Sequence, residues 1–113
     1  MAIQTATQKN SLAVEYGTDA TYGALLTAFT APSTYTEVTG GSPAYARKAL
    51  TWSAPSNGVI TASATFDVPA CTVVGTAVFD AATAGTYLDG NSVTSVTFSG
   101  QDTVTVTFTF TLT

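Results

Sequence analysis

Thr103-Val104-Thr105-Val106-Thr107-Phe108-Thr109-Phe110-Thr111-Leu112-Thr113 alternates a threonine with an apolar residue without a break. Side chains of a β-strand point to opposite faces with a period of two, so this stretch predicts one strand with an apolar face and a hydroxyl face. At about 3.3 Å per residue the strand would run about 36 Å. Burying Val104, Val106, Phe108, Phe110 and Leu112 at about 1.5–3 kcal/mol each would make it the main support of the fold.

Toward the N-terminus the same signals recur. Asn57-Gly58 lies between Ala49 to Ser53 and Val59 to Phe66, and both residues tolerate positive φ, so a hairpin is expected there. Thr72 to Phe79 and Ser92 to Phe98 read as strands, the second entered through a tight turn at Tyr87-Leu88-Asp89-Gly90-Asn91. Thr21 to Thr30 is a further strand stopped by Ala31-Pro32-Ser33, and Gly40-Gly41-Ser42-Pro43 marks a loop. Gln8 to Tyr16 departs from the pattern. There Leu12 and Tyr16 stand four apart and Gly17 follows at a C-cap position, which predicts a short helix that must lie against the sheet to persist. Several short strands with turns between them predict an all-β fold, an antiparallel β-sandwich or jelly-roll-like barrel with one short N-terminal helix.

Composition supports this. Threonine makes up roughly a fifth of the chain, and its branched Cβ suits a pleated, half-buried surface. A chain of 113 residues fits one domain, and about 65% of its extended surface could be buried on folding. The expected organisation is a single β domain over residues 1–113, with 1–19 as an arm and short helix and 20–113 as the sandwich.

Charge and chemistry narrow the function. The net charge is −4, and Lys9, Arg47 and Lys48 are the whole cationic complement, too little to neutralise a run of phosphates, so no nucleic-acid partner is expected. Met1 to Thr7 shows no basic region leading into an apolar one, and no apolar run approaches the length of a membrane span. Cys71 is the single cysteine, so no intrachain disulfide can form, and it reads as a small buried hydrophobe. The chain has no histidine, which removes the commonest general bases, metal sites and nucleophile partners. The acids Glu15, Asp19, Glu37, Asp67, Asp80, Asp89 and Asp102 are scattered beside turns. Asp89-Gly90-Asn91 lacks the alternating oxygen ligands of a calcium loop. No enzyme, metal or cofactor is expected.

One stretch concentrates anchoring residues. Tyr45, Arg47, Lys48 and Trp52 place two of the three cations and two aromatics within eight positions, the residue types that anchor protein interfaces. An acidic protein surface would suit them; the plain alternative is a core Trp52 beside a solvated, cationic strand edge. Charged side chains are 9% of the chain, against roughly 25% in an ordinary soluble domain. Threonine-rich strands with so few charged gatekeepers are an aggregation hazard unless partner subunits cover them. Much of the surface is therefore expected to be buried in an assembly.

Residues 37 to 52, Glu-Val-Thr-Gly-Gly-Ser-Pro-Ala-Tyr-Ala-Arg-Lys-Ala-Leu-Thr-Trp, resemble a family of small virion proteins of tailed bacteriophages, especially phages of actinobacteria. Its members are labelled tail fibre, minor tail or capsid decoration proteins. Residues 64 to 70, 78 to 88 and 98 to 103 fall in the family's order, while Cys71 stands in place of a glycine and Thr76-Ala77 in place of a bulkier apolar pair. The resemblance implies a structural virion protein, made in the host cytoplasm and placed on the outer capsid surface or the tail, with the major capsid protein or tail proteins as partners. Capsid decoration by a compact homo-oligomer, such as a trimer, is the first expectation, since a short rigid domain without stalk or repeat suits it. A tail fibre or minor tail subunit is the alternative. A carbohydrate-binding module with Tyr35, Tyr45 and Trp52 as a stacking platform is more remote, and a glycan hydrolase is more remote still.

Overall fold

A computed structural model of the chain describes residues 3–112. It contains one helix, α1 (Ala6–Asp19), and seven strands: β1 (Tyr22–Thr30), β2 (Thr34–Glu37), β3 (Lys48–Ala49), β4 (Val59–Val68), β5 (Cys71–Phe79), β6 (Tyr87–Phe98) and β7 (Asp102–Thr111). All pairings are antiparallel. One sheet has the order β2-β1-β5-β6, with β3 also on β1, and the other is the pair β4-β7. The two sheets face each other as an open sandwich and do not close into a barrel.

The β4-β7 pair is the most regular part. Ten residue pairs run without a shift from Val59 and Thr111 to Val68 and Asp102. Its outer face carries hydroxyl pairs, Ser63 with Thr107 at 3.0 Å and Thr65 with Thr105 at 2.8 Å. Its inner face packs Ala62, Phe66, Val68 and Phe108 against Leu25, Val73 and Val78 of the larger sheet. The alternation of β7 is as the sequence predicts, but its burial is not. Phe108 alone is fully buried, while Val104, Val106 and Phe110 are half-buried, as is Leu112 beyond the strand's end. The cause is topological: among the described residues β7 pairs only with β4, so one of its edges faces outward. Thr113, the last residue of the alternation, lies outside the described residues, as do Met1 and Ala2 of the N-terminus.

The helix is longer than expected. The Thr5 side chain accepts from the Gln8 amide and the Ala20 amide donates to the Tyr16 carbonyl at 2.8 Å, so the helix passes through Gly17 instead of ending there. Gly17 serves a close approach: a Cβ would stand 3.1 Å from the Trp52 ring and 3.3 Å from Ile60. The preceding Tyr16 stacks on Phe110, with centroids 3.9 Å apart, and stands edge-on to Trp52 at 6.0 Å. Leu12 does not share that buried face and is exposed.

Two turn expectations come out differently. Asn57 and Gly58 take positive φ of 50° and 82° and Ser56 pairs with Val59, so the tight turn forms. Its incoming arm does not become a full strand, because Leu50 donates to the Thr21 carbonyl and β3 pairs with β1 instead. Tyr87 to Asn91 is not a turn at all but the start of β6, paired to β5. The reversal occurs earlier: Asp80 Oδ1 accepts from the Thr86 amide at 2.7 Å, and Ala84 and Gly85 take positive φ. Gly90 sits in the strand because a Cβ there would press on the ring of Phe29 at 2.8 Å. Phe29, Tyr35 and Tyr87 fold over the outer face of the larger sheet and cover Ala24, Leu26, Ala77 and Phe79.

Candidate docking surface

The four residues singled out from the sequence do not make one exposed patch. Arg47 is 10% exposed and clamps Glu37, itself 20% exposed, with Nη2 3.0 Å from Oε1 and Nε 3.1 Å from Oε2. Its Nη1 donates to the carbonyls of Ala81 and Ala84 at 3.1 and 2.7 Å, and its guanidinium carbon lies 3.5 Å from the Phe79 ring centroid. Arg47 therefore ties the loop before β6 to the outer face of the larger sheet.

Tyr45 converges on the same carboxylate. Its hydroxyl donates to Glu37 Oε2 at 2.7 Å and accepts from the Leu25 amide at 3.0 Å. Along that edge of β1, β3 pairs with Tyr22 and Gly23 and β2 takes over from Leu26, so Tyr45 satisfies the amide in the gap between them. Burial, joined by the Glu37 hydrogen bond and charge, pushes the Tyr45 hydroxyl far above the ordinary tyrosine range. Trp52 is half-buried beside α1 and donates from Nε1 to the Ala20 carbonyl at 2.7 Å. Lys48 stands half-buried in the short strand β3, opposite Gly23. Glu37, which sequence reading passed over as one scattered acid, is the hub, and the signal for it is its charge opposite to Arg47 at the two ends of one loop.

The aromatic platform is likewise divided. Tyr35 stacks on Tyr87 at 4.8 Å on the outer face, Tyr45 lies over Phe66 in the interior, and Trp52 meets Tyr16. Cys71 is half-buried at the edge of the core, not the buried hydrophobe expected from the sequence, and this partial burial raises its thiol above the usual range, which disfavours the thiolate. Among the described residues no three His, Cys, Asp or Glu side chains gather as a metal site.

The open feature of the molecule is the side where β6 and β7 lie at the margins of their sheets. An apolar cleft of about 370 Å³ there is lined by Leu25, Val73, Val93, Val96, Phe98 and Val106. A second hollow of about 270 Å³ continues it toward Tyr16, Trp52, Asp89 and Asn91, and Thr76, Val93, Val106 and Thr107 line both, so the two form one groove. Val93 and Val96 are 41% and 48% exposed. No charged residue occurs from Gly90 to Gln101 or from Thr103 to Thr111. At the polar end, burial followed by the charge and hydrogen bond of Asp89 pushes the Tyr16 hydroxyl up to about 12. An apolar groove between two strand edges that carry charge only near their starts, at Asp89 and Asp102, is suited to docking a chain.

A protein-family model described as Podophage GP4 fiber I protein gp80 matches residues 13–111. Comparison with curated proteins and with solved structures gives no match.

Proposed function

The chain belongs to the Podophage GP4 fiber I protein gp80 family, and on that premise we propose that it is a subunit of a phage tail fibre that works by docking on other virion proteins. It is a structural phage protein of the virion, associated with other virion components. The family match over residues 13–111 carries the fibre assignment. A family named for a fibre favours the tail over the outer head surface, so the tail-fibre alternative replaces decoration as the leading reading. In this reading the protein catalyses no reaction, and copies of it, as a trimer or another homo-oligomer, contribute to the fibre.

Two physical features fit the assignment. The outward edges of β6 and β7 are long and free of charge along their middle stretches, a surface that a free monomer would normally blunt with lysine or proline. The Glu37, Tyr45 and Arg47 cluster fastens the loop before β6 to the larger sheet, of which β6 is one margin. The test is immunogold labelling and electron microscopy of intact virions with an antibody raised against this chain. Label on the tail fibres supports the reading, and label spread over the head overturns it in favour of decoration.

A further inference from the structure

We propose, resting on the reading of the chain as a virion subunit, that the groove between β6 and the free edge of β7 accepts a β-strand from a different virion protein. That strand carries apolar residues at alternate positions and a Lys or Arg at the Asp89 end.

The two sheets are unequal. The larger one extends through β5 to β6, while the smaller one ends at β7. Residues opposite one another in a ladder share a face. Val96 stands opposite Val73, Asn91 opposite Thr76, and Asp89 opposite Val78, and Val73 and Val78 belong to the inter-sheet core. Asp89, Asn91 and Val96 therefore lie on the inward face of β6, yet no residue of β6 is fully buried. What would cover them is a third strand beside β7.

The free edge of β7 meets the other requirement. All ten of its residues pair with β4 on one side, and among the described residues no strand pairs with it on the other. The outward N–H and C=O groups of that edge need partners once water is excluded, and an extended backbone supplies them in register. Every second side chain of the added strand would then point down onto Val93, Val96 and Phe98. At the other end of the groove it would meet Asp89, the one charged residue lining either hollow.

Charge complementarity selects a partner other than a second copy. The chain's own cations are Lys9, Arg47 and Lys48. Lys9 is in α1, Arg47 is held on Glu37, and Lys48 is in the two-residue strand β3 on β1. Among the described residues no strand combines alternating apolar residues with a cation free to reach Asp89.

The test uses the purified full chain and short synthetic peptides of alternating threonine and valine, with lysine at either end or glutamate in its place. Binding is read by calorimetry and by the fluorescence of Trp52, which lines the polar end of the groove. The lysine peptide in one orientation binds saturably, and its glutamate counterpart binds up to about fivefold more weakly, the range of a partly exposed ion pair. Asp89→Lys reverses that preference, and Val96→Asp, which places a charge in the apolar floor, weakens binding at least about tenfold. Should Val96→Asp fail to fold, Val96→Thr keeps the branched shape and lowers binding in the same direction. Absence of saturable binding, or unchanged binding by both Val96 variants, overturns the proposal. So does dimerisation of the free chain that these variants abolish, which would make a second copy the occupant, or a Trp52 response to pyranose sugars and not to the peptides. Failure here leaves the microscopy of the virion untouched, so the groove and the fibre assignment fall separately.

Discussion

Replacing Arg47 by alanine removes more than one surface charge. The change deletes the paired contacts to Glu37, both hydrogen bonds to the Ala81 and Ala84 carbonyls, and the cover over Phe79. It also leaves a Glu37 carboxylate that is only 20% exposed with Tyr45 as its remaining partner. Breaking a fully buried pair costs about 3–5 kcal/mol and an exposed one about 0–1. With side chains 10% and 20% exposed, the cost lies at the low end of the buried range, about 3 kcal/mol. For a chain of this size that is a fall in Tm of about 12 °C. Thermal unfolding followed by circular dichroism reads it directly. Arg47→Lys keeps the charge but cannot reach both Glu37 and the loop carbonyls, so about half the loss remains. The double variant Arg47→Ala/Glu37→Ala costs clearly less than the sum of the single changes, because the stranded carboxylate has gone. A Tm for Arg47→Ala within about 2 °C of the parent, near 0.5 kcal/mol, would refute the clamp and return Arg47 to the role of a solvated cation.

Gly23→Ala lowers stability by about 1–3 kcal/mol in urea unfolding, because its Cβ would stand 2.7 and 2.9 Å from ring atoms of the buried Phe108. Combining it with Phe108→Leu costs less than the two changes added, and strict additivity would argue against that contact. The raised Tyr16 and Tyr45 hydroxyls set an alkaline limit. Their folded-state values exceed the ordinary value of about 10, so their contribution is complete below that pH and declines as pH rises toward about 12 for Tyr16. Tm falls over that window and Tyr16→Phe flattens part of the fall; a Tm independent of alkaline pH would contradict the burial of both rings.

What could be read in the sequence was local. The Asn57-Gly58 turn was legible because both residues adopt positive φ at low cost, and the alternation of β7 was legible because its period belongs to the strand itself. The depth to which Val104 and Val106 are buried was not, since it depends on whether another strand lies beside β7. Tyr87 to Asn91 misleads because an Asp-Gly pair suits a turn, whereas here Gly90 makes room for the rings of Phe29 and Tyr87. Tyr45 and Arg47 looked like exposed anchors because their partner Glu37 is reached only when the loop folds back on β1 and β2. The groove had no local signature, as its lining comes from β1, β5, β6 and β7 together.

Cryo-electron microscopy of the intact virion at side-chain resolution tests the account most directly. It predicts this sandwich within the tail fibre, with a strand of another virion protein beside β7 and Val93 and Val96 covered. The sandwich at capsid threefold positions, or in the fibre with the β6 and β7 side open to solvent, would contradict it.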